Sequence, residues 1–374
     1  MVESGFSAMA INSTPGQPKR TGHARVVVTT ASAAGLLMLL VGSHLAGRSS
    51  AVDTTNLYSI LRTHLQFSNS ELSALTQGRP VVKTLPPTMN REMTTAGAVR
   101  IRSDAMWRFV NQFKTLEGFK TSQFVLQVQK FSDPPQLSNL DSLIVDREDI
   151  ESLRECRVGA CDVQLAADDI SRLRAEVNWR SPKAAEDAAA LYKAILFAHL
   201  TRYRTGGNDQ LVHYQDREAE VRLAAETAAL LDAKPSLLDH APALQDHIRQ
   251  YPAGAAANVE DFFYWSKEVF GFKPVIGMNH VRVFTDGSTG NVMIVTTQIY
   301  ASHYLEGSVA VSRLMPDRDQ GNEPTFYWIY MNRTRVGRLA GLLGSMSRPI
   351  VQRRARSGLM KSLSQTKQRF EAAQ

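Results

Sequence analysis

From Val275 onward the chain first alternates as strands do and then steps as a helix does. Val275–Thr285 and Asn291–Ala301 are apolar runs rich in β-branched residues, and the Asp286-Gly287-Ser288-Thr289-Gly290 between them suits a hairpin turn. In the second run Met293, Val295, Thr297 and Ile299 share one face, while Val292, Ile294, Thr296, Gln298 and Tyr300 share the other. Neither face is strongly polar, which predicts a strand covered on both sides. Tyr304–Leu314 alternates again, Met315-Pro316-Asp317 reads as its end, and the aromatic run Thr325–Asn332 predicts a fourth strand. From Thr334 the period changes. Val336, Leu339, Leu343, Met346 and Ile350 step by threes and fours, and Leu359, Leu363 and Phe370 extend that helical stripe. Pro349 lies inside it and predicts a kink or a split near Ser347–Pro349.

The earlier chain mixes both periods. Val52–Leu75 carries a helical stripe of Leu57, Ile60, Leu61, Leu65, Leu72 and Leu75, with Ser70 as N-cap of a second short helix over Glu71–Gln77. Val81–Leu85 reads as an edge strand and Arg91–Arg102 as extended. Ser103 then caps a helix over Asp104–Phe113, Phe124–Phe131 is a further strand, and Asp146 caps a helix over Arg147–Arg154. Ala166–Tyr251 is rich in Ala, Leu and charge and poor in β-branched residues. Ser181-Pro182 starts one helix there, Glu218–Leu231 is another, and a third starts at Ser236 with Pro242 as an interruption. Phe262, Phe263, Tyr264, Trp265, Phe270 and Phe272 then read either as core packing or as the wall of an apolar pocket.

Antiparallel strands closed by a long C-terminal helix resemble the START-like, helix-grip (SRPBCC-type) superfamily of hydrophobic-ligand-binding proteins. The residues that carry the resemblance are the Gly-containing opening Gly341-Leu342-Leu343-Gly344-Ser345-Met346-Ser347-Arg348-Pro349 with the basic run through Leu363-Ser364-Gln365-Thr366-Lys367, and the strand-then-helix order of Ala96–Phe113. The chain as a whole also resembles exported bacterial proteins. The resemblance implies an α+β fold in which an antiparallel curved sheet grips the long C-terminal helix, with a helical insertion. It also implies an apolar cavity between sheet and helix, holding a hydrophobic small molecule or lipid. The expected organisation is a signal peptide or anchor over 1–51, an N-terminal helical segment over 52–90, the first part of the grip domain over 91–165, the insertion over 166–257, and the sheet with its basic helix over 258–374.

Charge changes the picture at both ends. The net charge is +7, yet residues 333–374 alone carry +9, so the rest sums to −2. A basic amphipathic helix of this kind is either a solvated face or a surface for anionic lipid headgroups. Lys19, Arg20 and Arg25 precede the apolar run Val26–Leu45, which reads as a signal peptide or a permanent inner-membrane anchor. Either way the body of the chain is expected outside the cytoplasm, periplasmic or secreted, which argues against a nucleic-acid partner. The only cysteines, Cys156 and Cys161, follow that segment and enclose a short loop containing Gly159, so a disulfide is expected.

Candidate chemistry is sparse. The chain has no phosphate loop, nucleophile elbow or zinc-binding His-Glu-x-x-His helix, so no cofactor, metal or catalytic residue is assigned. His280 shares a strand face with Met278, Arg282 and Phe284, and His303 lies between two strand runs. With Gln298, Tyr300, Tyr304 and Tyr330 these histidines form a candidate set of polar groups inside an apolar pocket, and Met346 lines it from the helix. The alternatives are half-buried histidines bonded within the protein, an enzyme using His280 or His303 as acid–base, or a structural envelope protein.

Overall fold

The computed structural model describes residues 57–116, 124–239, 241–254, 258–269, 273–317, 324–337 and 341–372, without the side chains of 341–347. Val26–Leu45 lies outside them, and no helix among the described residues is long and apolar enough to cross a membrane. Residues 52–374 form one compact unit.

The chain opens with α1 (Leu57–Thr63) and α2 (Asn69–Thr76), then the edge strand β1 (Val81–Leu85) and the long β2 (Glu92–Arg102). Helix α3 (Met106–Thr115) leads to β3 (Val125–Lys130). Between β3 and the next long strand come α4 (Arg147–Glu155), α5 (Ala167–Glu176), α6 (Ala184–Gly206), the small hairpin β4 (His213–Tyr214) and β5 (Val221–Arg222), α7 (Leu223–Asp232) and α8 (Pro242–Gln250). The helical insertion therefore begins well before residue 166. The C-terminal part is β6 (Val259–Glu268), β7 (Val275–Thr285), β8 (Val292–Ala301), β9 (Leu305–Asp317), β10 (Thr325–Val336) and α9 (Gly341–Glu371).

Eight strands pair antiparallel in the order β1-β2-β10-β9-β8-β7-β6-β3. The fold is α+β, and α9 packs against the sheet along β1 and β2. One sheet face is covered by α3 and α9. Phe109 packs against Phe326, Trp328 and Phe370, and Val99, Leu359 and Leu363 complete that core. The other face is covered by α1, α2, α7, α8 and the insertion, through Leu61, Leu65, Leu230, Leu244, Tyr192 and Leu196 among others. This double coverage accounts for the lack of a polar face on β8.

Several boundaries differ from the sequence expectation. Strand β10 runs on to Val336 because Arg333, Thr334 and Arg335 pair with Thr94, Met93 and Glu92, and the ladder overrides the local helical spacing. Strand β9 continues through Pro316, opposite Phe326, near its end where a missing N–H costs little. Pro242 opens α8 at the first-turn position and does not interrupt a helix. The N-cap of α2 is Ser68, in a reciprocal capping box with Glu71, and not Ser70. Helix α9 is not split: it runs unbroken through Pro349, an exposed position where water can reach the carbonyl that the proline leaves unbonded. In the β7–β8 hairpin only Gly290 takes a positive φ, +73°, and the Asp286 carboxylate accepts from Ser288 and Thr289. Cys156 and Cys161 are joined across a turn in which Gly159 has φ +81°.

Candidate functional site

Histidines beside buried or half-buried carboxylates line the junction of the insertion with the sheet. His303 Nε2 is 3.0 Å from Asp149 Oδ1 on α4, and its Nδ1 donates to the Asp162 carbonyl at 2.9 Å. Tyr300 donates to the Gln164 carbonyl at 2.8 Å and so accepts from the Tyr192 hydroxyl of α6, also at 2.8 Å. Its phenol is held far above its ordinary range by complete burial. His199 of α6 stacks on the Tyr300 ring and faces Asp169 of α5 at 2.8 Å. Gln298 donates to the Leu305 carbonyl at 3.1 Å, and Tyr304 accepts from the Lys273 amide at 3.3 Å.

His280 has its own surroundings. Tyr203 accepts from Arg282 Nη2 at 2.9 Å and donates to His280 Nδ1 at 2.9 Å, which leaves the imidazole proton on Nε2. That nitrogen lies 3.2 Å from Asp261 Oδ1, and Asp261 also meets His247 Nε2 at 3.1 Å. Arg282 Nη1 reaches Thr297 at 2.9 Å, while Phe263 and Tyr251 pack on the imidazole. Burial first, and then the Arg282 charge, push His280 down to about 3, against the pull of Asp261. Burial would raise the Asp261 carboxyl, but His280, Arg282 and His247 together hold it below its ordinary value.

The consequence has a defined sign. The unfolded imidazole takes a proton near pH 6.5, which the folded one refuses until about 3, so stability falls as pH drops through that window. Denaturant midpoints measured across it are expected to fall more steeply for the parent than for His280→Gln. Equal slopes would rule this out.

These placements correct the candidate set. His280, Tyr300 and His303 face the insertion, on the opposite side of the sheet from α9, and are bonded within the protein. The shared face of His280, Met278 and Arg282 is as expected from the alternation. Their partners Asp261, Tyr203, His247 and Asp149 lie far off in the chain, and Asp149 reads in sequence only as an acid in the first turn of a helix. Met346 is on α9, but its side chain is not among those described. Two surface clefts of about 250 and 180 Å³ lie at Asn258–Glu260 with Thr285 and Gly287, and at Thr76–Gly78 with Arg100, Arg102 and Lys367; neither is lined by His280, Tyr300 or His303. Among the described residues no group of His, Cys, Asp and Glu is arranged to hold a metal ion.

Tyr330 of the set lies on the α9 side, and it belongs to a graded surface. Successive rows cross the strands there. Val292, Leu314, Trp328 and Val99 form an apolar row, followed by Ile294, Ser312, Tyr330 and Gly97, and then by Val281, Thr296, Ala310, Asn332 and Thr95. Ser308 and Thr334 come next, with Asn279 on the neighbouring strand. Alternation puts all of these on one face. The first row is buried, whereas Tyr330, Thr296, Ala310, Asn332, Ser308 and Asn279 are partly exposed. Asn332 is the hub of the polar end: it donates to the Tyr330 hydroxyl at 3.3 Å and accepts from Thr334 at 2.6 Å and Ser308 at 3.3 Å. Helix α9 lies on the same side of the sheet as this graded face, along β1 and β2, held by Arg348 on the Glu92 carbonyl at one end and by Glu371 on the Arg102 amide, 2.9 Å, at the other. Comparison with known proteins finds no family model that matches the chain and no curated protein that matches it in sequence.

Proposed function

We propose that this is an exported, non-catalytic protein of START-like helix-grip build that holds a hydrophobic small molecule or lipid on the graded face of the sheet beside α9. The observation that carries the reading is the polarity gradient along β8–β10, from the buried Val292–Leu314–Trp328 row to the half-exposed Tyr330, Thr296 and Asn332. An amphipathic molecule fits such a surface, its tail against the apolar row and its polar end on Asn332 and Tyr330. The Cys156–Cys161 bond supports export, because such bonds persist in oxidising compartments. The enzyme alternative is less well supported, since His280 and His303 have both ring nitrogens facing groups of the protein itself.

The test is native mass spectrometry and lipid extraction on protein purified from its own membrane fraction. Tyr330→Ala is expected to lower bound ligand several-fold while costing about 1–2 kcal/mol of stability, because the side chain is only partly buried. Unchanged ligand content counts against this face as the binding site. A parent protein that carries no ligand under any growth condition favours the structural-envelope alternative.

A further inference from the structure

The layer formed by α3 and α9 has an outer surface that the graded face of the sheet does not include. The buried stripe of α9 is Leu359, Leu363, Thr366 and Phe370, so the opposite arc faces outward. That arc carries Ile350, Arg353, Arg354, Met360 and Lys361, all exposed, with the exposed Arg356 at its margin. Two of these are apolar and still strongly exposed, Ile350 at 53% and Met360 at 38%. Among the described residues Arg353, Arg354 and Arg356 form no ion pair, whereas Lys367 of the same helix is paired with Glu371.

Helix α3 extends the same layer. The Phe109 ring lies 5.6 Å from Phe370, and the Arg108 guanidinium sits 5.4 Å over Phe370. Next to it Trp107 is 49% exposed, on a flank of α3 beside its buried Met106, Phe109 and Val110. A tryptophan, two aliphatic side chains and a band of arginines, all exposed on the two helices of this layer, match the composition of a membrane-interface face. The indole and aliphatic groups enter the headgroup boundary, and the guanidinium groups meet lipid phosphates.

We propose that the outer face of α3 and α9 docks on an anionic lipid bilayer. The partner is the bilayer surface as a whole, recognised by charge and shallow apolar insertion. Docking there does not depend on the sheet face beside α9 holding a ligand.

The experiment is co-sedimentation of the purified protein with vesicles of pure phosphatidylcholine or of phosphatidylcholine with phosphatidylglycerol. The comparison that decides is between the parent and two variants, since all three share the same N-terminal residues. Combined Arg353→Gln, Arg354→Gln and Arg356→Gln is expected to weaken partitioning onto the anionic vesicles about a hundredfold, at roughly fivefold per basic residue. Combined Trp107→Ser and Met360→Ser should also weaken it, with less dependence on salt. All the substituted side chains are exposed, so unchanged melting temperatures are expected, and the occupancy of any bound ligand should not move. Equal binding of the parent to neutral and anionic vesicles, or anionic binding untouched by the arginine substitutions, overturns the proposal. So does an absence of vesicle binding combined with arginine-dependent binding of a single-stranded DNA probe, which reassigns the face to nucleic acid.

Discussion

Leu363→Asp should leave little folded protein. Leu363 is fully buried on the inner stripe of α9, and its Cδ1 comes so close to β2 that a Cβ on Gly97 would lie 3.0 Å from it. No other residue type allows that approach, because the same Cβ would also meet the Val81 carbonyl at 2.8 Å. A carboxylate placed there loses the leucine's packing, worth about 2–5 kcal/mol, and is desolvated, while the cation one turn on, Lys367, is already paired with Glu371. Together these approach the whole stability of a typical domain, about 5–15 kcal/mol. Chemical denaturation followed by circular dichroism measures it, with Gln365→Asp on the exposed side of the same helix as the control. A Leu363→Asp protein within about 1 kcal/mol of the parent would mean that α9 is not docked on β2 as described.

Glu92→Leu is the second large effect. Glu92 at the start of β2 is completely buried, accepts from Thr88 and Thr94, and pairs with the equally buried Arg333 of β10. Burial pushes its carboxyl up, but the hydrogen bonds from Thr88 and Thr94 and the Arg333 charge outweigh that and hold it below the ordinary value. Removing the acid leaves a buried guanidinium whose other described partners are the Thr94 hydroxyl and the Pro235 carbonyl. The expected cost is about 3–5 kcal/mol. Replacing both partners, Glu92→Leu with Arg333→Met, should recover most of it, because neither variant side chain then carries an unpaired charge. Protonation should act in the same direction as the single substitution. With the folded carboxyl below its unfolded value, the stabilisation is present above the unfolded value and is lost as pH falls through the folded one. A double variant as unstable as Glu92→Leu alone would show that the pair is not the source of the loss.

Much of the C-terminal half is legible without coordinates, because its periods are strong. Strand alternation over 275–297, the Asp286–Gly290 turn and the stripe through Leu359, Leu363 and Phe370 each depend on neighbours in sequence, and all three are present in the fold; past Thr297 a register shift between β7 and β8 turns Tyr300 to the face opposite Val292 and Ile294, against the alternation. The α+β class follows from those periods. The edge position of β1 could be read as well, from its shortness and the prolines after it. Where boundaries moved, at Val336 and Pro316, a partner strand supplied hydrogen bonds that local spacing does not encode.

The candidate site divides differently. Sequence alternation placed His280, Met278 and Arg282 on one face and Tyr330 on an aromatic strand, but it cannot say which of two covered faces looks toward α9. That choice is made by the order of strands in the sheet and by which helices return over each side. β2 pairs with β10, and so α9 lies along β1 and β2, while α6 closes over His280 and Tyr300. The acids that meet the histidines, Asp149, Asp169 and Asp261, come from three elements separated in the chain by as much as 154 residues from their partners. By itself the sequence determined the local elements, the cysteine pair and the concentration of basic charge on the last helix. The tertiary structure decided that the histidines fasten the insertion to the sheet and that Tyr330, with Asn332 and Thr296, looks out beside α9. Burial and pairing are properties of surfaces brought together from distant stretches, and a single strand carries no record of what covers it.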